Sequence, residues 1–284
     1  FEMARAFIAC ESGDDKEANA RLAQLDTVED PGLDLCKVRF FLRTNEPKRA
    51  TDVAEKYIGG GHVRSFWPYL SISWRLLESE RAHWLDRGDT FIRSFDLSFD
   101  KGHLDELAVT LRALHTAKAP YLEQSVRGGT QTDRNLFFNS DPIIQLTRAR
   151  LTDAVREYIN GLPAIDEAHP LLGPPRDRFR LNGSWSVLLR PEGFNISHTH
   201  TDGWISSAFY VDIPDDENLG EKPSGWISFG EPPPTLEIDL APYAQIKPAP
   251  SRLVLFPSTM WHRTVPFDAG ERLTIAFDIG ANRR

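Results

Sequence analysis

Phe179-Arg180-Leu181-Asn182-Gly183-Ser184-Trp185-Ser186-Val187-Leu188-Leu189 marks the point where this sequence changes character. It opens a series of short runs rich in aliphatic, aromatic and β-branched residues, each bounded by Pro, Gly or Asp. Trp204–Ile213, Gly225–Phe229, Thr235–Ile238, Arg252–Phe256 and Arg272–Ile279 follow it. Such runs read as strands. Several short strands in close succession predict a sandwich or a jelly roll.

Upstream of about residue 162 the apolar spacing is helical instead. Leu104, Leu107, Leu111 and Leu114 fall on one face of a helix over His103–Ala117. Asp141-Pro142 reads as an N-cap followed by a first-turn proline, opening a helix that runs through Val155 and Ile159 to Gly161. Ala18, Ala50 and Ala82 recur every 32 residues, each just after a polar turn. Small residues at a fixed period suit the close crossing of stacked helical hairpins, as in tetratricopeptide-like arrays. Phe66, Trp67, Tyr69, Trp74 and Trp84 then belong either to a core or to a peptide groove. Pro163, Pro170, Pro174 and Pro175 mark a boundary between Leu162 and Arg178. The expected fold class is α+β: a tetratricopeptide-like helical region over 1–100, a helical and loop connector over 101–178 packing on the barrel, and a C-terminal double-stranded β-helix, or jelly roll, over 179–284. The polar, double-glycine segment Glu123–Thr132 reads as a turn. The alternative is a loop over a neighbouring active site, with Arg127 offered to an anion.

Composition narrows the function classes. The 284 residues carry 33 Lys+Arg against 41 Asp+Glu, a formal charge of −8. That balance argues against broad binding to nucleic acid or to an anionic membrane, which needs an excess of cations. No apolar run reaches the ~18 residues that a bilayer span requires. Two cysteines, Cys10 and Cys36, make neither a disulfide framework nor a thiolate zinc site, which points to a reducing cytosol and a cytoplasmic protein. The first residue is Phe1 rather than Met, consistent with a trimmed start.

The chemistry concentrates in Ile196-Ser197-His198-Thr199-His200-Thr201-Asp202-Gly203, between two strand-like runs. In an extended chain residues i, i+2 and i+4 point the same way, so His198, His200 and Asp202 project from one face until the turn begins. Imidazole and carboxylate are the ligand types of a non-haem Fe(II) site, with two His and one carboxylate on one face and the remaining positions open. His262, at the end of the Leu253–Phe256 strand, supplies a distal ligand. Ten residues later Arg272-Leu273-Thr274 opens the last strand, and an Arg fork two residues from a hydroxyl can hold a carboxylate. A lone His-x-His or a lone Arg is common on solvated surfaces. The ordered combination singles this one out.

In these features the chain resembles the Fe(II)/2-oxoglutarate-dependent dioxygenases of jelly-roll type. It is most similar to a bacterial branch of 2-oxoglutarate oxygenases with helical repeats ahead of the catalytic domain. The resemblance runs from about Glu123 to the C-terminus. It is carried by Glu123–Thr132, Gly183–Val187, His198-Thr199-His200, Gly203–Ser207, Leu255–Ser258 with His262, and Arg272-Leu273-Thr274. It implies His262 as the distal ligand, and Arg272 with Thr274 on the distal carboxylate of 2-oxoglutarate. Two proximal registers stay open. His200-Thr201-Asp202 reproduces His-x-Asp, whereas His198-Thr199-His200 keeps the more usual spacing to the next strand, with His in place of the acid. Similarity to the aspartyl/asparaginyl hydroxylase type favours His198 as first ligand and places Ser186 and Ser206 near the cosubstrate.

What the resemblance implies is an enzyme using Fe(II), 2-oxoglutarate and O2 to hydroxylate an unactivated C–H bond of a small-molecule, peptide or amino-acid-like substrate. His198, His262 and Arg272 are the central residues. A protein partner through the helical region is a further expectation. Two rivals remain: a cupin-type metal enzyme that does not use 2-oxoglutarate, and a tetratricopeptide-like binding protein with a silent barrel.

Overall fold

The computed structural model describes residues 1–119 and 124–281, so Glu123, the first residue of the expected turn, lies outside the described residues. The chain divides into two compact units, Phe1–Asp86 with Pro232–Leu240, and Arg87–Glu231 with Ala241–Arg284. No helix among the described residues is long and apolar enough to cross a membrane.

The first unit is helical: α1 (Glu2–Ser12), α2 (Asp15–Gln24), α3 (Pro31–Arg43), α4 (Pro47–Ala54), α5 (Trp67–Leu76) and α6 (Glu80–Asp86). Local chemistry starts these helices. The Asp14 carboxylate accepts from Glu17 N at 3.1 Å, and that of Asp30 accepts from Leu33 N at 2.8 Å, with Pro31 in the first turn where its missing N–H costs nothing. Helices pack with their chain neighbours, α1 on α2, α3 on α4 and α5 on α6. Ala18 and Ala50 are fully buried, as close helix crossing requires, while Ala82 is half-buried. Most of the aromatic run forms core. The rings of Trp67, Trp74 and Trp84 meet tilted or edge-on at 6.0–6.4 Å, and Phe66 stacks on Tyr57 at 4.1 Å.

The second unit holds α7 (Gly88–Phe91), β1 (Arg93–Asp96), α8 (Lys101–Leu114), β2 (Val126–Gln131), α9 (Pro142–Asn160), β3 (Phe179–Asn195), β4 (Ile205–Asp212), α10 (Asp216–Leu219), β5 (Ile227–Phe229), β6 (Ala244–Ile246), β7 (Arg252–Pro257), β8 (His262–Thr264) and β9 (Arg272–Ala281). One antiparallel sheet runs β1-β7-β4-β9-β3-β2 and a second runs β6-β5-β8. The Asp141 carboxylate accepts from Ile143 N at 3.0 Å, and Gly161 ends α9, both as the sequence predicts. Helices first and strands second make the chain α+β.

Strand β9 shows how the fold separates stability from chemistry. Its side chains alternate, and Leu273, Ile275, Phe277 and Ile279 are all 0–1% exposed in the main core. Truncating one such side chain to Ala costs ~2–5 kcal/mol. Arg272, Thr274, Ala276 and Asp278 occupy the opposite face of the same strand.

Three expectations give way. Val126–Gln131 is a strand on the sheet edge, paired with β3, not a turn. An edge strand tolerates polar side chains, and the double glycine marks a bulge between Arg127 and Gly129. A Cβ at Gly129 would sit 2.3 Å from Leu188 O, so only glycine lets the two backbones approach. The Arg127 guanidinium donates to Gln124 O and Val126 O at 2.7 and 2.8 Å, beside its own backbone. Thr235–Ile238 is no strand; Pro234–Leu236 forms a 3-10 turn, because the prolines preceding it lack the N–H donors a ladder needs. Finally, β1 lies in the half that reads as helical, a four-residue strand too short to show a period.

Candidate metal centre

His198 and His262 face each other as an isolated antiparallel bridge. Each backbone N–H donates to the other's carbonyl, at 3.1 and 3.0 Å, and His200 N extends the ladder to Ser258 O at 3.0 Å. Backbone pairing therefore fixes three imidazoles before any side-chain contact is made. The chain then turns, with Gly203 N donating to His200 O at 3.0 Å. A Cβ at Gly203 would lie 2.4 Å from Ser258 Oγ, so the turn depends on a glycine.

The three rings converge. Their centroids are 4.3 Å apart for His198 and His262, 5.1 Å for His198 and His200, and 5.2 Å for His200 and His262. One ring nitrogen from each lies within 4.8 Å of the other two, close enough to share one metal ion. Each Nδ1 is engaged elsewhere: that of His198 with Ile196 O at 2.7 Å, of His262 with Met260 O at 3.0 Å, of His200 with Asp278 Oδ2 at 2.6 Å. Carbonyls and carboxylates only accept, so Nδ1 carries the proton and Nε2 keeps its lone pair. This is how metal-ligating histidines are held. Burial pushes His198 down to about 3, with the His200 ring adding to the effect, and burial drives His262 well below its usual value. Both are neutral at pH 7, as a ligand must be.

Asp202 is not part of this cluster. It sits exposed beyond His200, where the turn has ended the extended alternation on which its projection depended. Asp278, a residue that sequence reasoning missed, brings a carboxylate to the site instead. Its Oδ1 accepts from Ser206 Oγ at 2.6 Å, and Ser206 shares a 2.8 Å hydrogen bond with Ser258 Oγ. The available signal was alternation along the last strand, since 278 shares the parity of 272 and 274.

The histidines line a cavity of about 340 Å³, together with Arg272 and Thr274. Arg272 is 3% exposed, and its guanidinium lies 5.0 Å from the Tyr210 ring centroid. Its Nε and the Tyr210 hydroxyl are buried without a hydrogen-bond partner. Buried orphan donors of this kind mark a place for a ligand. Burial lowers the Arg272 pKa from its usual value, with Tyr210 opposing the shift, yet a guanidinium stays charged at neutral pH. Ser186 and Ser206 are not among the cavity's lining residues. The Ser186 hydroxyl meets His115 Nε2 at 3.0 Å and donates to Thr274 O at 3.2 Å, from the neighbouring strand β3. His115 Nδ1 in turn meets Thr130 Oγ1 at 2.8 Å.

Residues 183–278 match the family model described as putative 2OG-Fe(II) oxygenase, which spans the strands that build this centre. No curated protein matches the chain. Among solved structures, a viral collagen prolyl hydroxylase from Paramecium bursaria Chlorella virus-1 is 16% identical, with 68% of this chain and 97% of that one covered, at a TM-score of 0.45. A Pseudomonas putida prolyl-4-hydroxylase is 16% identical, with 70% and 96% covered, at 0.46. HygX from Streptomyces hygroscopicus is 12% identical, with 70% and 86% covered, at 0.45. Over that segment the chain is similar to the 2OG-Fe(II) oxygenases, enzymes whose cofactors are Fe(II), 2-oxoglutarate and O2.

Proposed function

We propose that this protein is a 2OG-Fe(II) hydroxylase whose iron is held by His198, His200 and His262 and whose 2-oxoglutarate is anchored by Arg272 and Thr274. The observation that carries the reading is the shared cavity. Three imidazoles, each with its Nδ1 engaged elsewhere, and one buried guanidinium with an orphaned Nε line the same 340 Å³. When bound there, the iron and cosubstrate would couple O2 and oxidative decarboxylation of 2-oxoglutarate to oxidation of a C–H bond.

The residues divide the work. His198 and His262 are set by their mutual backbone bridge, so the metal position is fixed by the ladder and not by flexible side chains. Arg272 offers a planar fork to a carboxylate, with the Thr274 hydroxyl two residues along the same face. Trp185 stacks on His200 at 5.5 Å and 22°, closing that side against water. Gln124, Ser125 and Gln131 form a polar wall suited to hydrogen-bonding a peptide or amino-acid-like substrate. We place the catalytic part, a jelly roll, at 179–284, with 101–178 as its connector. Ala18 and Ala50, buried on the second helices of successive hairpins, support a tetratricopeptide-like 1–100 as a site for a protein partner. The Cys10 and Cys36 thiols are free and buried, which agrees with a cytoplasmic setting.

Three imidazoles also suit a cupin-type enzyme without 2-oxoglutarate, but the unpartnered, buried Arg272 Nε then has no purpose. The test is turnover without added substrate. Purified protein with Fe(II), 2-oxoglutarate and air should release succinate, and Arg272→Leu should not. Metal binding with no succinate from either protein contradicts the reading. Asp202→Ala should keep metal affinity within about threefold, since surface substitutions are close to neutral, whereas His200→Ala should lose it.

A further inference from the structure

The three histidines are not held alike. The Nδ1–H groups of His198 and His262 donate to the backbone carbonyls of Ile196 and Met260, each two residues earlier in its own segment. Those acceptors are neutral. The Nδ1–H of His200 alone donates to an anion, Asp278 Oδ2, at 2.6 Å, with both side chains 15% exposed.

Asp278 is itself held in place. Its Cα register partner on β4 is Ser206, whose hydroxyl donates to the other carboxylate oxygen at 2.6 Å. Ser258 reaches Ser206 Oγ at 2.8 Å, and it can do so because Gly203 presents no side chain. Each oxygen of Asp278 thus has one assigned donor, and the carboxylate cannot swing toward the metal position without breaking both hydrogen bonds.

We propose that Asp278 is the positioning residue of the metal centre, fixing His200 as its Nδ1–H tautomer and supplying, one layer behind the ligands, the negative charge that a three-imidazole set lacks. This rests on the reading of the metal centre given above. Charge counting supports it. A divalent ion and Arg272 are cationic, Asp278 is anionic, and Arg263 is paired with Glu231 at 2.8 Å. The sum leaves an excess of two positive charges, which the 2-oxoglutarate dianion neutralises. Without Asp278 the loaded cavity keeps an uncompensated charge, which a low-dielectric interior penalises. The acid has moved from the ligand set to the layer behind it, and the overall charge is conserved. A carboxylate behind an imidazole also raises the basicity of the ligating nitrogen.

The test uses the full chain and Co(II) as a probe that does not oxidise in air. Wild type should bind Co(II), and Asp278→Asn, which keeps the shape and the Ser206 hydrogen bond but removes the charge, should bind roughly 10–100-fold more weakly. Ser206→Ala should change affinity less than about threefold, because it removes one hydrogen bond and leaves the charge in place. Nitrogen-15 spectra of the metal-free wild type should show His200 protonated on Nδ1, a readout that does not depend on whether the variants fold. Equal Co(II) affinity in wild type and Asp278→Asn overturns the role of Asp278 alone. So does an equal loss in Ser206→Ala, which would mean packing only, and so does an Nε2–H tautomer in wild type. Failure of wild type to bind Co(II) overturns the metal centre and this role with it.

Discussion

Buried polar groups in the two units meet different ends. In the helical unit several close on one another, although the Arg43 Nε is left without a hydrogen-bond partner. Lys37 pairs with Asp34 at 3.0 Å, Tyr57 donates to Asp34 at 2.9 Å, and the Ser71 hydroxyl donates to the buried Asp86. In the sheet unit one set converges on a space. Three imidazoles aim at a common point, and the Arg272 Nε on the same cavity is left without a hydrogen-bond partner. Convergence on a cavity, and not burial by itself, separates a working site from a satisfied core. Asp86 and His198 are both shifted by burial, yet only His198 faces a place where something can bind.

The largest effect that would break this contrast is at the metal. His262→Ala should remove metal binding across the whole titrated range, while Asp86→Asn should leave metal affinity unchanged. Loss of binding in both would mean that the two units do not divide stability from chemistry as described. Next comes the cosubstrate. Arg272→Leu should weaken 2-oxoglutarate by roughly 10–100-fold, the scale of a lost charge-assisted hydrogen bond, with metal affinity intact. Equal affinity for 2-oxoglutarate would show that the orphaned guanidinium serves packing.

Smaller effects test the structural side. Burial raises Asp86 from 3.8 to about 6, with Ser71 opposing the shift. The folded state then binds a proton between those values that the unfolded state does not, so stability falls as pH rises through that window. Asp86→Asn removes the penalty and should stabilise the protein by ~1–3 kcal/mol at pH 7, with no gain below about pH 4; melting temperature against pH reads this. His115 has the opposite sign. Burial lowers it from 6.5 to about 4, so the unfolded state takes up the proton first and stability is lost as pH falls through that interval. His115→Gln, whose amide can still reach Thr130 and Ser186, should give a shallower acid limb. An unchanged limb would assign the acid sensitivity to other groups.

Sequence carried the site in part, for reasons visible in particular residues. His198, His200 and His262 are legible because two sit in one extended segment and the third follows shortly after the clear strand Leu253–Phe256. Arg272 and Thr274 are legible as alternate residues at a strand start. Asp202 shares that alternation only on paper, because the hydrogen bond from Gly203 N to His200 O turns the chain before it. Asp278 needed the pairing of β9 with β4, a contact between residues 72 apart that no local pattern reveals. The fold shows the same divide. α9, with its Asp141 cap and closing Gly161, is written locally. β1 and β2 are strands because the sheet edges accept them; neither four residues nor a Gly-Gly pair announces a strand.

The most direct measurement is an anaerobic optical titration of the protein with Fe(II) and 2-oxoglutarate together. A centre built from His198, His200, His262 and Arg272 predicts a weak visible charge-transfer band that needs both components, persists in Asp202→Ala and needs roughly 10–100-fold more 2-oxoglutarate in Arg272→Leu. Tight Fe(II) binding with no band on adding 2-oxoglutarate would contradict it.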